Sequence, residues 1–111
     1  MSKKVLYNTT VVIDKNIHEE WKQWMIRTHI PKVMATGCFI EYKISLILGN
    51  NPDEGVNYAI QYISPSMETF LTYRDRFAKA IQMEHQNRFK DRAASFRTVM
   101  EVQNEGYLTK T

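Results

Sequence analysis

The chain has 111 residues, one cysteine, three histidines and a formal net charge of +3. That length points to one domain over 1–111, with a core over 4–103 and a polar tail over 104–111, burying about 60 to 70% of the surface its unfolded chain exposes. The lone thiol, Cys38, excludes an internal disulfide. The absence of a signal-like apolar core, or of the roughly 20 apolar residues needed to cross a bilayer, makes a cytoplasmic protein with no membrane partner the expectation.

In chain order, Val5 to Ile13 alternates with a period of two, placing Val5, Tyr7, Thr9, Val11 and Ile13 on one face of a first strand. Asn16 then offers a helix cap, with Glu19 three residues later completing a capping box. Ile17, Trp21, Trp24, Met25 and Thr28 recur at helical spacing, so a core-facing helix follows. Pro31 disfavours helical geometry at Ile30 and has no N–H to donate, which predicts a kink or an end near His29. A short second turn opening at Pro31 would be terminated by Gly37.

From Phe39 to Leu48 the even positions are apolar and the odd ones include Glu41, Lys43 and Ser45, the pattern of a half-buried second strand. The turn-rich stretch 49–55 joins it to a third, with Val56, Tyr58, Ile60 and Tyr62 on one face, so the two form a hairpin. Ser64, Pro65 and Ser66 supply helix-start chemistry. Met67, Phe70, Leu71, Phe77, Ala78 and Ile81 mark a second amphipathic helix running towards Phe89. In the last strand Ala94, Phe96, Thr98, Met100 and Val102 alternate with Ser95, Arg97, Val99 and Glu101, and the first of these sets is assigned to the core.

Strand, helix, strand, strand, helix, strand is the order of a ferredoxin-like α+β sandwich: a four-stranded antiparallel sheet with both helices on one face. The other face is assigned Leu6, Asn8, Thr10, Val12, Glu41, Lys43, Ile47, Asn57, Gln61, Ile63, Arg97, Val99 and Glu101. That set is too mixed for a core and too apolar for bare solvent, so a second copy is the expected cover, giving a homodimeric α+β barrel.

Charge is uneven. Residues 1–73 carry seven Lys/Arg against seven Asp/Glu, and residues 74–111 carry eight against five. Arg74, Arg76, Lys79, Arg88, Lys90 and Arg92 could meet an anionic partner, yet Asp75, Glu84 and Asp91 interrupt them. A solvated helix face is the better reading, and nucleic acid remains a minor alternative.

His29 is the sharpest chemical candidate and the one residue assigned a catalytic role. It lies on the same helix side as Trp21 and Met25, near a negative helix C-terminus that favours the protonated ring. There it could act as a general base, hold a ligand, or ligate a metal or haem iron; equally, it could cap the last helix carbonyls. Tyr7, Tyr42, Tyr58 and Tyr62 share the predicted helix-facing set. Trp21, Trp24, Tyr42, Tyr58 and Tyr62 are therefore assigned to the wall of a cleft suited to a planar or aromatic small molecule, although aromatics at alternating strand positions are more often plain core. Glu41, Lys43, Arg97 and Glu101 form a possible polar site within the barrel, for which salt bridging is the commoner outcome. His18, His29, His85 and Cys38 show no metal-ligand spacing, no phosphate-binding or dinucleotide motif is present, and no cofactor is implied.

The segments Ile17-His18-Glu19-Glu20-Trp21, Trp24-Met25, His29-Ile30-Pro31 with Ala35-Thr36-Gly37, Gln61-Tyr62 and Phe96-Arg97-Thr98 together resemble a small bacterial family known as domain of unknown function 4286. That family is similar to the dimeric α+β barrel group, which includes antibiotic-biosynthesis monooxygenases, haem-degrading monooxygenases and EthD-like proteins. The resemblance implies a ligand between helices and sheet, with His29 and a tyrosine stabilising the anion of an oxidisable aromatic substrate. The competing class is a noncatalytic assembly or partner-binding protein in which His29 merely closes a helix.

Overall fold

The computed structural model describes residues 3–109. Four strands, β1 (Val5–Ile13), β2 (Glu41–Leu46), β3 (Val56–Ser64) and β4 (Ala93–Glu101), form one antiparallel sheet in the order β2-β3-β1-β4. The helices are α1 (His18–Trp24), α2 (Ile30–Ala35), α3 (Met67–Arg76) and α4 (Ala78–Phe89). This is the ferredoxin-like arrangement expected from the order of elements. Residues 102–109 follow β4 without regular structure, while the last two residues of the expected tail and the first two of the chain lie outside the described residues.

The core lies between one sheet face and the helices. Val5, Val11, Ile13 and Ile60 from the sheet meet Trp21, Met25, Ile30, Val33, Phe70 and Phe89, all buried. Burying a large aliphatic or aromatic side chain contributes roughly 1.5–3 kcal/mol, so this patch dominates the folding energy.

Several local expectations are corrected. Asn16 does not cap α1. Its own N–H donates to Asp14 Oδ1 at 2.8 Å, while Asp14 Oδ2 accepts from Arg92 Nε at 2.9 Å, tying the end of β1 to the start of β4. The residue before α1 is Ile17, with no side-chain cap, so the predicted capping box with Glu19 is not formed. The Asp14 carboxyl is held below its usual range, first by the Asn16 amide and then by Arg92.

Of the kink or end expected near His29, the end does not occur. Residues Met25–His29 widen into a π-turn, in which the Ile30 amide reaches back to the Met25 carbonyl, and α2 then continues to Ala35. Pro31 offers no N–H to the Arg27 carbonyl four residues earlier, and its ring would crowd that carbonyl. One wider turn relieves both conflicts and lets the rod carry on. Gly37, at φ +75°, ends it as expected, its N–H donating to the Met34 carbonyl at 3.1 Å.

The second predicted helix is two. Phe77, at φ −123°, breaks it into α3 and α4. Ser66 caps α3 by accepting from the Thr69 N–H at 3.1 Å, an interaction worth about 1 kcal/mol. The second strand is also shorter than Phe39–Leu48: Phe39 is buried ahead of it, and Ile47 and Leu48 lie beyond it, exposed.

The largest correction concerns β4. Its partners across β1 are Val11↔Ser95, Thr9↔Arg97, Tyr7↔Val99 and Val5↔Glu101. Directly opposed residues share a face, so Ser95, Arg97, Val99 and Glu101 lie on the helix side. Ala94, Phe96, Thr98 and Met100 lie underneath, the reverse of the expected assignment. Because β4 is an edge strand that the helices do not roof, Arg97 can sit on the core side of the sheet without burying its charge.

Candidate functional site

The helix layer covers β1 and β3 and stops short of β4. Where it stops, a recess of about 30 Å³ sinks between the sheet and the helices. Its floor is Tyr7, Thr9, Val11, Ile60 and Tyr62. Met25, His29 and Val33 wall one side, and Tyr73, Gln82 and His85 the other. The recess has room for an ordered water or two. It shares Gln82, His85, Ser95 and Arg97 with a polar groove of about 350 Å³ along β4. A second, mostly apolar groove of about 330 Å³ between α3 and β4 shares Tyr7, Tyr73, Gln82 and Arg97 with it. Arg97 and Gln82 therefore stand where all three hollows meet.

The π-turn places His29 in this recess. Both of its terminal residues, Met25 and His29, line the wall, and turns of this kind often occur at functional positions. The His29 ring lies 5.7 Å from that of His85, edge to face, and 5.4 Å from Trp24. The expected protonated ring is corrected. With α2 continuing beyond it, His29 faces no helix terminus, and burial followed by the neighbouring His85 pushes its pKa down to about 4. The imidazole is neutral at physiological pH.

His85 was not singled out for the site in the sequence, although Ala78, Ile81, Gln82, His85 and Phe89 follow one helical stripe. Its Nε2 accepts a hydrogen bond from Trp21 Nε1 at 2.9 Å. An imidazole nitrogen that accepts from an indole N–H carries no proton, so the proton of neutral His85 resides on Nδ1. Burial, then the positive charge of Arg97, lowers its pKa to about 4.

The assigned cleft wall divides into parts. Tyr62 lines the recess directly, its Oη buried with no protein hydrogen-bond partner among the described residues. Burial raises the phenol pKa of Tyr62 and of Tyr73 well above normal, so both remain neutral donors. Trp21 is 0% exposed and stands behind the recess, acting on it through His85. Trp24 packs on His29, His85 and Phe89, with the Arg88 guanidinium 5.5 Å from its ring. Tyr58 lies outside the recess: its ring packs on Trp21 at 5.0 Å and its hydroxyl pairs with His18 Nδ1 at 3.1 Å. Tyr42 is 44% exposed on edge strand β2, because the helices do not reach that strand either. Tyr7, from the broader tyrosine set, accepts from Gln82 Nε2 at 3.4 Å.

The proposed polar cluster of Glu41, Lys43, Arg97 and Glu101 is not assembled on one face, since β4 is turned over relative to the expectation. Arg97 belongs to the recess, and no salt bridge occupies it among the described residues. No group of three or more His, Cys, Asp or Glu side chains able to hold a metal ion occurs among the described residues. No helix there is long and apolar enough to cross a membrane.

Solved structures share this architecture at low identity. A variant of SnoaB, a cofactor-independent oxygenase from Streptomyces nogalater, is 9% identical with a TM-score of 0.65, the match covering 94% of this chain and 97% of that one. An EthD family protein from Bacillus halodurans is 12% identical with a TM-score of 0.65, covering 89% and 99%. A dimeric ferredoxin-like protein of unknown function from Thermobifida fusca is 12% identical with a TM-score of 0.63, covering 92% and 93%. At these identities the likeness establishes the fold alone. No curated protein matches the chain. Residues 4–103 match the family described as Domain of unknown function (DUF4286), and over that span, which holds every strand and helix named above, the chain belongs to this family.

Proposed function

We propose that the chain acts as a cytoplasmic homodimer that binds a planar aromatic small molecule in the cleft between its helices and strand β4. One observation carries this reading: a recess lined by His29, His85, Tyr62 and Tyr73 opens, at Arg97 and Gln82, onto grooves large enough for a small ligand. Tyr62 supports it further, since a buried hydroxyl without a partner costs about 1–3 kcal/mol that a bound oxygen would offset.

The dimer draws support from the underside of the sheet. Phe96 is 62% exposed and Met100 41% exposed there, beside half-buried Leu6, Val12 and Ile63. A mixed face with exposed apolar residues of this kind suits a second copy, and the Thermobifida fusca protein of the same fold is described as dimeric.

The catalytic extension of the proposal is oxygenation without a cofactor. A substrate methylene beside an aromatic ring loses a proton to neutral His29, and the resulting anion reacts with dioxygen. The methylene becomes a carbonyl, one oxygen atom entering the substrate and the other leaving as water, so the substrate supplies every electron. Its support is His29 in the recess and the shared fold of the oxygenase SnoaB.

A thermal-shift screen of polycyclic phenols and anthrones tests binding, because a ligand selective for the folded form at one hundred times its Kd stabilises by about 2.7 kcal/mol. His29→Ala should weaken that ligand more than it weakens folding. Equal loss of Tm with no stabilising compound would transfer the protein to the assembly class. Light scattering on the purified chain should give twice the 13.1 kDa subunit mass, and a monomer would remove the dimer from the proposal.

A further inference from the structure

Two features of the recess converge on one kind of ligand atom. Arg97 brings a permanent positive charge to the mouth, exposed and without a carboxylate partner among the described residues. His85 brings a donor. Trp21 occupies its Nε2, which leaves Nδ1 as the protonated nitrogen, and no protein group accepts from that nitrogen among the described residues. Neither group suits a cationic guest, since a guanidinium repels one and a ring held as an N–H donor has no lone pair to offer at that nitrogen. The remaining charges nearby do not reverse this. Lys90 and Asp91, of opposite charge, both line the polar groove, Arg74 is paired with Asp75 at 2.9 Å, and Glu84 is engaged by Lys32 at 2.6 Å.

We infer that the cleft recognises an acidic aromatic molecule bound as its anion, a carboxylate, phenolate or enolate, whose charged oxygen is held between the Arg97 guanidinium and the Nδ1–H of His85. The inference rests on the ligand reading above and narrows it to a substrate class. Trp21 serves as the positioning residue: its indole sets the His85 tautomer while remaining out of reach of the guest. A charge-assisted pair to guanidinium is roughly twice as strong as a neutral hydrogen bond, so Arg97 supplies affinity and His85 supplies direction.

The test uses the full-length protein and two probes of matched shape, 2-naphthoate and the uncharged 2-naphthamide, titrated by calorimetry at low and high salt. Naphthoate should bind at least about tenfold more tightly than naphthamide, a difference that added salt erodes. Arg97→Gln, at an exposed position where folding is untouched, should abolish the preference while retaining residual amide binding. Nitrogen NMR of His85 should show the Nδ1–H tautomer near neutral pH. Equal affinity for both probes, or an Nε2–H tautomer, would overturn the anion inference and leave the ligand cleft standing. Failure of both probes at millimolar concentration would overturn the inference and count against the cleft itself.

Discussion

The same sheet face behaves in two ways along its width. Over β1 and β3 it is roofed, apart from the small recess: Val5, Val11, Ile13 and Ile60 pack in one core with Trp21, Ile30 and Val33 and have almost no exposure. Over β4 it is open, and Ser95, Arg97 and Val99 line grooves instead of meeting helices. The difference follows from the reach of the helix layer. Polar chemistry collects where the roof ends, because a guanidinium or an imidazole tolerated at that margin would be costly in the sealed half.

Substitutions can break this contrast. The largest effect belongs to the sealed half, where Trp21→Ala should cost about 3–5 kcal/mol in denaturant unfolding. A cost near zero would mean that this half is not the core. Acid comes next and acts at the boundary. Both His29 and His85 have folded pKa values of about 4, below the ordinary 6.5. The unfolded chain therefore binds more protons between those values, and stability should fall as pH drops from about 6.5 to 4, then level off for these groups. Each ring should contribute roughly 2–3 kcal/mol of that loss after solvent screening. His29→Gln with His85→Gln should flatten the slope, and an unchanged slope would show that both rings titrate normally. Glu84, Lys32 and Arg97 are the charged groups felt at the His29 ring, and Glu84→Gln should steepen the loss slightly, because its carboxylate favours the protonated ring.

Tyr62→Phe sharpens the contrast at the floor of the recess. Removing an unpaired buried hydroxyl should stabilise the ligand-free protein by up to about 1 kcal/mol while weakening any oxygen-bearing guest. The smallest effect is expected in the open half, where Arg97→Gln should change stability by no more than about 0.5 kcal/mol in the same unfolding assay. A large loss there would mean that Arg97 is structural and that β4 is roofed after all.

Much of the fold was legible because it follows from periodicity. The alternation of Val5, Tyr7, Val11 and Ile13 marks a strand with one buried face, and the turn-rich 49–55 segment between two alternating runs marks a hairpin. The face of β4 was misread because its apolar residues, Phe96 and Met100, point away from the chain's own core. A pattern of two identifies two faces without naming the one that the helices cover, and a shift by one residue exchanges them. His29 could be singled out from local sequence, yet its neutral state could not. That depends on burial and on His85, 56 positions later in the chain.

Local order, by contrast, came from short-range rules that operate within a few residues: alternation makes strands, spacing of three and four makes helices, and Gly37 ends a rod because a left-handed turn is open to it. Tertiary structure alone decided which face of β4 looks inward, how the chain carries a helix through Pro31, and that Trp21, His85, His29 and Arg97 meet at one recess. Those outcomes depend on the pairing of β1 with β4 and on the seating of α4 against the sheet. Contacts between residues far apart in the chain leave no periodic mark in it, so only the packed molecule brings them together.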